Sequence, residues 1–409
     1  MSAQDRPMAP QRGAPHPSFA MGRRGLLLGL GASMVMGGTR AAFAQAPGER
    51  RLVVVLLRGA LDGLFAVQPY GDPDFAWLRG PLALPEPGRE RGVLDLGGSF
   101  GLHPTLAALH ERYRANEVLI LHAVAGPNRS RSHFVAQDAL EIGAEQRLSS
   151  GWLNRALQAM PGTGQARTGL AVGTSVPLLL RGPAPVGSYA PPGLDRPSPD
   201  LIHRVAALQA GHPELAAPFR EGLRARGFAD AALGMGDNDR ERGSFPRLAA
   251  AAGRLLAEAG GPRVAVLDLG GWDTHAQQIG RIEAPLRALD AGLAALAASL
   301  GPHWARTAVL VVTEFGRTAR VNGALGTDHG TGGVAFLLGG AVAGGRVAGD
   351  WPGLARDKLF EDRDLQPTTD LRAIAKALLR DHLRLPDRAV AQAFPGSDAV
   401  APLRGLLRA

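Results

Sequence analysis

The chain contains no cysteine. That excludes a disulfide framework, a thiolate metal site and a thiol nucleophile. Lysine is almost missing too: Lys358 and Lys376 are the only two, and arginine makes up the rest of the 45 basic side chains. No run of basic residues interleaved with aromatics occurs, which argues against a nucleic-acid interface. The formal net charge of +8 does not restore one, because five arginines against one aspartate in residues 1–44 account for half of it. There is also no uninterrupted run of the ~20 apolar residues that a bilayer-crossing helix needs, so no stable membrane span is expected in the mature chain. What remains is ordinary for a folded domain. The chain has 409 residues, 45% hydrophobic and 20% charged, enough for a large buried core.

The first 46 residues read as an address. Residues 1–20 are polar and rich in Pro, Gly and Ala. Arg23-Arg24-Gly25-Leu26-Leu27 follows, then a Gly-rich apolar run to Gly38, then small-residue cleavage patterns at Ala42-Phe43-Ala44 and Ala44-Gln45-Ala46. This is the order of regions in a signal peptide, and the paired arginines point to the twin-arginine translocon as the export partner. The expectation is a leader over residues 1–46, one domain over 47–409, and a periplasmic or secreted product. Twin-arginine export carries folded cargo, so a metal could be loaded before export.

The rest alternates between strand and helix patterns. Leu52–Leu57 is continuously apolar and β-branched in the middle, as a strand buried on both faces would be. Val118–His122, Arg263–Leu269, Ala308–Thr313 and Val334–Leu338 read the same way, with Leu170–Val172 and Pro177–Leu180 as shorter strands. Helical spacing marks Pro104–Ala115, Ser132–Glu141, Gly151–Met160, residues 201–260, Glu283–Leu300 and Thr369–His382. Residues 71–101 and 181–200 read as loops. Such alternation predicts an α/β fold with a central, mostly parallel sheet and helices on both faces.

In sheets of this kind ligands bind beyond the carboxyl ends of the strands, and polar groups recur there. Asp62 follows the first strand, and Asn128–His133 follows the second. Gly270–His275 carries Asp273 and His275, and Glu314 and Arg317 follow Ala308–Thr313. Gly326–Gly333, just before Val334, carries Asp328 and His329. Asp and His two apart in an extended loop can face one point, and both are good ligands for Zn²⁺ or Mn²⁺. Of Asp328 and His329, one can bind metal while the other supports it. Glu314 is a candidate ligand, and Arg317 a candidate grip for an anionic oxygen. Asp62 either bridges metals or stabilises a turn. Ser132 reads both as a helix N-cap and as a nucleophile at a helix N-terminus. His133 beside it reads as base, ligand or core residue.

Taken together, these stretches resemble a bacterial exported family known as domain of unknown function 1501. The resemblance rests on the twin-arginine leader and on Leu52–Leu64, Asn128–Gln137, Gly151–Asn154, Gly270–His275, Thr313–Thr318, Gly326–Gly330 and Thr368–Arg372. The family is in turn similar to the alkaline phosphatase superfamily. That similarity implies a mixed, mostly parallel sheet and a two-metal hydrolase site. It matches Asp62 to the superfamily's aspartate after the first strand, and Ser132, with Ser130 as the alternative, to the nucleophile. It matches Asp273, His275 and His329 to metal ligands. One departure stands out: the superfamily usually has an Asp-His pair where this chain has Glu314-Phe315, so one nitrogen ligand is missing. The lack of cysteine, and of any Ser-x-Pro-x-Arg stretch, argues against a formylglycine sulfatase. The expectation is a hydrolase of phosphate or sulfate esters using one or two divalent ions, with zinc as the candidate. The rival is a non-catalytic exported protein that keeps the fold for binding or assembly.

Overall fold

The computed structural model describes residues 49–160, 168–190, 199–209, 216, 219 and 244–408. The expected leader lies outside these residues, as does much of the helical pattern over 201–260. The central strand, β1 (Arg51–Leu57), is buried at every position. A strand sends alternate side chains to opposite faces, so an all-apolar strand needs cover on both sides. Val53, Val55 and Leu57 pack into one core with the helices Phe245–Ala257 and Gln278–Leu300. Leu52, Val54 and Leu56 pack into a second core with the helices Trp152–Leu157 and Leu371–Ala377.

The remaining strands are β2 (Val67–Gln68), β3 (Leu94–Asp95), β4 (Gly101–Leu102), β5 (Val118–Ala125), β6 (Gly169–Val172), β7 (Val186–Tyr189), β8 (Val264–Leu269), β9 (Thr307–Thr313), β10 (Gly333–Leu338), β11 (Arg346–Ala348) and β12 (Thr369–Asp370). The large sheet has the order β11-β5-β10-β9-β1-β8-β6-β7, with β12 also on β5; β2, β4 and β3 form a small separate sheet. β10 runs antiparallel to both neighbours, and the other pairings in the large sheet are parallel. This is the mixed, mostly parallel sheet with helices on both faces that the sequence predicts, and β1, β8 and β9 lie side by side in it.

The register decides where the loops meet. Leu57 is level with Leu269 and with Thr313, so β1, β8 and β9 end together. β10 runs the other way, so its first residue, Gly333, sits beside Val124 near the end of β5. The loops after β1, β5 and β8 and the connection from β9 to β10 therefore share one edge.

Some expectations are corrected. Within 181–200, Val186–Tyr189 is an edge strand on β6; its Gly and Ser hid it, because an edge strand need not be apolar throughout. Leu178–Leu180 is a 3-10 turn, not a strand. Within 71–101 lie the helix Phe75–Arg79, β3 and the first residue of β4, two of the three strands of the small sheet. Thr369–His382 opens with β12 before turning helical, and a further helix, Asp387–Ala393, follows it. Among the described residues no helix is long and apolar enough to cross a membrane.

Candidate metal centre

The loop after β8 is pinned by Trp272. Its side chain is fully buried, and its indole N–H donates to the Leu269 carbonyl at 2.9 Å. The next residue, Asp273, is thereby presented at the sheet edge. The loop after β1 presses against it: Gly59 has φ +113°, and a Cβ there would lie 2.8 Å from the Asp273 nitrogen, so only glycine fits. The two arms of the connection from β9 to β10 pair with each other through Thr318 N–H to the Asp328 carbonyl (2.9 Å) and Gly330 N–H to the Gly316 carbonyl (2.8 Å). This zipped pair holds Glu314 and Arg317 beside Asp328 and His329.

Three imidazoles converge on one carboxylate oxygen. Nε2 of His275 lies 3.1 Å from Asp273 Oδ1, Nε2 of His329 lies 3.2 Å from it, and Nε2 of His133 lies 3.5 Å from it. The Nε2 atoms of His275 and His329 are 2.9 Å apart. His133, Asp273 and His329 each offer a ligand atom within 4.8 Å of the others. His133 arrives from the start of the helix His133–Ile142 after β5, so three separate segments supply the four donors: that helix start, the loop after β8 and the β9–β10 connection.

Each ring is also held at its other nitrogen. His133 Nδ1 lies 2.8 Å from Glu314 Oε1, His275 Nδ1 lies 3.2 Å from Asp328 Oδ1, and His329 Nδ1 lies 2.8 Å from the Arg131 carbonyl. Carboxylates and carbonyls only accept, and for His133 and His329 the nearer acceptor is the one at Nδ1, so those neutral rings carry their proton there. His275 has a carboxylate at both nitrogens and can do the same; in that state three Nε2 lone pairs and a carboxylate oxygen face one another. His133 Nε2 is buried and has no hydrogen-bond partner. Lone pairs crowded in this way repel unless a cation lies among them. Three nitrogens and one oxygen suit a four-coordinate divalent ion, and imidazoles backed by carboxylate or carbonyl are the usual support for such an ion. The residues fit a metal.

The surroundings keep the carboxylates ionised. Burial pushes Asp273 upward, but the Arg317 guanidinium, 2.5 Å from Oδ1, outweighs it and holds the carboxyl at about 2. Glu314 is likewise opposed by burial, yet donors from Gln137 and His133 and the Gly59 N–H bring it below its usual value. Burial depresses His329, favouring the neutral ring that a ligand must be.

Of the expected site residues, Asp273, His275, His329 and His133 supply the donors. His133 Nε2 faces the cluster, which favours ligand among the roles its sequence leaves open. Glu314 and Asp328 stand behind two of the rings. Asp62 does not join them. Its carboxylate is buried against the Arg79 guanidinium, accepts from Gln278 Nε2 at 2.7 Å and Thr327 Oγ1 at 3.4 Å, and caps the short helix Gly63–Ala66 through the Phe65 N–H at 3.2 Å. The turn-stabilising reading of Asp62 is the one the geometry supports. Arg317 is also placed differently from the expected grip on substrate. It is fully buried and donates to the carbonyls of Gly59, Ala60, Trp272 and Thr327 as well as to Asp273, so it clamps the site loops together. Ser132 is the exposed N-cap residue before His133 and makes no side-chain cap bond, while Ser130 Oγ accepts from the Ser132 N–H at 3.2 Å.

Sequence reasoning missed Gln137 and Arg79. Gln137 donates to Glu314 Oε1 at 2.9 Å; it stands four residues after His133 on one helix face, a spacing that could have revealed it. Arg79 carried no comparable signal.

Residues 103–394 match the sequence profile described as "Protein of unknown function (DUF1501)", well over half the chain. The chain belongs to the DUF1501 family. The matched span contains all four donors of this DUF1501 protein, whereas Asp62 and Arg79 precede it. No curated protein matches the chain. Several solved structures are similar to it. One is a protein in the alkaline phosphatase superfamily from Vibrio parahaemolyticus, at 11% identity over 76% of this chain and 68% of that one, with a TM-score of 0.32. Another is the C-terminal periplasmic domain of EcEptC from Escherichia coli in complex with Zn, at 10% identity over 73% and 75%, with a TM-score of 0.32. A third is a TAB5 alkaline phosphatase mutant with Mg bound, at 8% identity over 73% and 91%, with a TM-score of 0.28. At these values the likeness is remote.

Proposed function

We propose that this DUF1501 protein is a metal-dependent hydrolase of phosphate or sulfate esters, working outside the cytoplasm after twin-arginine export. The observation that carries the reading is the convergence of three Nε2 atoms on Asp273 Oδ1, each ring with an acceptor at its other nitrogen. A divalent ion such as zinc, when bound, supplies a Lewis acid that polarises a phosphoryl or sulfuryl oxygen. His133, Asp273, His275 and His329 hold it, while Glu314, Asp328 and the Arg131 carbonyl keep the rings aimed. Asp273 and His275 are both partly open to solvent, so a small anionic ester can reach the centre. The Ser132 hydroxyl, one residue before His133, attacks phosphorus or sulfur and the alcohol leaves with the bonding pair; the serine proton balances the alcohol's charge. Water then cleaves the serine ester and restores the hydroxyl. Ser130 is the alternative nucleophile.

A second reading has its own observation. Arg317, the residue expected to grip an ester, has its donors committed to protein oxygens. A non-catalytic exported binding protein would keep the centre and need no such grip. The test is metal analysis of the purified mature protein, with hydrolysis of p-nitrophenyl phosphate and p-nitrophenyl sulfate. The hydrolase reading expects bound metal, hydrolysis abolished by a chelator, Ser132→Ala inactive but metal-loaded, and His133→Ala deficient in both. Metal without hydrolysis of any ester tried supports the binding protein. Absence of metal after zinc reconstitution refutes the centre.

A further inference from the structure

We infer that the centre takes a single ion, and that two buried guanidinium groups occupy the role a second ion would fill. The inference rests on the metal reading above. Paired ions lie about 3.5–4 Å apart and share or neighbour several carboxylates. Beyond Asp273, the carboxylates of the site are Asp62, Glu314 and Asp328, and each is engaged elsewhere. Asp62 is sealed against Arg79, whose side chain and that of Asp62 are 0% and 1% exposed. Glu314 Oε1 takes the Gly59 N–H, Gln137 Nε2 and His133 Nδ1, and Oε2 lies 2.8 Å from Thr313 Oγ1. Asp328 reaches the cluster through His275 Nδ1, on the side of the ring away from Nε2.

The remaining shared ligand would be Asp273, and there the second positive charge is already present. Arg317 Nη2 lies 2.5 Å from Oδ1, and the Arg317 side chain is 0% exposed. An arginine cannot shed its proton, and its four carbonyl partners prevent it from swinging away. A second dication would have to share Asp273 with the first ion and with this fixed, desolvated guanidinium, so that one carboxylate would face three positive groups. Arg317 and Arg79 thus do by covalent attachment what a second ion does elsewhere: they neutralise Asp273 and Asp62.

Native mass spectrometry of the mature protein under saturating zinc tests this. One zinc per chain is the expected count. Two per chain overturns the inference and leaves the metal reading intact, whereas none overturns both. The variant Asp62→Asn is expected to keep one zinc with unchanged affinity, while Asp273→Asn loses affinity by about tenfold or more. A loss of zinc in Asp62→Asn matching that in Asp273→Asn would also overturn the inference. If Asp62→Asn does not fold, the wild-type count decides.

Discussion

Glu314→Gln separates a direct ligand from a residue that aims one. Glu314 lies at the end of β9 with its side chain 1% exposed, and Oε1 accepts from the Gly59 N–H, Gln137 and His133 at 2.8–2.9 Å. Glutamine keeps an oxygen in that position. Its amide nitrogen falls beside Thr313 Oγ1, which can accept. The packing and nearly all the hydrogen bonds survive, so the fold should lose no more than about 1 kcal/mol. What disappears is the negative charge behind His133, which steadies the Nδ1 proton and makes Nε2 a better donor. Loss of such a partner costs about 10- to 100-fold in metal affinity, or about 1.4–2.7 kcal/mol. The assay is competition for zinc against a chromophoric chelator, with the melting temperature of the metal-free protein as the control for folding. A folded Glu314→Gln variant with wild-type affinity would refute the supporting role. A loss as complete as that of Asp273→Ala would mean that Glu314 touches the ion, as its sequence position alone suggested.

Asp62→Ala should destabilise the protein by about 3–5 kcal/mol, because it leaves Arg79 charged, buried and unpaired; thermal or denaturant unfolding reads this, and a loss under 1 kcal/mol would contradict the sealed ion pair. Asp273 has its folded-state pKa depressed from 3.8 to about 2, so its contribution is present above pH 4 and lost as pH falls towards 2. Acid unfolding of the metal-free Asp273→Asn variant should accordingly show a shallower pH dependence in that window than wild type, and identical curves would count against the Arg317 contact. Replacing Arg23 and Arg24 by lysine should leave the precursor in the cytoplasm with its leader uncleaved, as fractionation and blotting would show; normal export of the double variant would sink the twin-arginine assignment.

The candidate centre is partly legible in the sequence. Asp273, His275 and His329 sit beside glycines at strand ends, where the backbone must turn sharply and the side chain has nowhere to go but the loop edge. Gly59 and Gly316 let loop backbones touch each other: a Cβ on Gly316 would sit 1.9 Å from the Gly332 carbonyl oxygen. His133 was ambiguous in sequence because a histidine at a helix start has no preferred partner until the helix is docked. Its role follows from Glu314, 181 residues away.

Local pattern alone determined the central strands of the large sheet. β1, β5, β8, β9 and β10 are largely apolar runs, and a strand with no polar face has to be covered on both sides, which implies the layered α/β sheet. The same pattern placed the ionisable loops at strand ends. Only the tertiary structure decided which carboxylates meet imidazoles and which meet arginines. Asp62 and Asp273 look alike in sequence, each an acid just past a central strand. Register brings Asp273 among three imidazoles with Arg317 on its flank, while the helix Phe75–Arg79, in a stretch with no strong periodicity, carries Arg79 into the pocket that closes over Asp62. Hydrophobic period is written along the chain. Charge pairing across hundreds of residues is not, because it depends on angles between elements that packing sets.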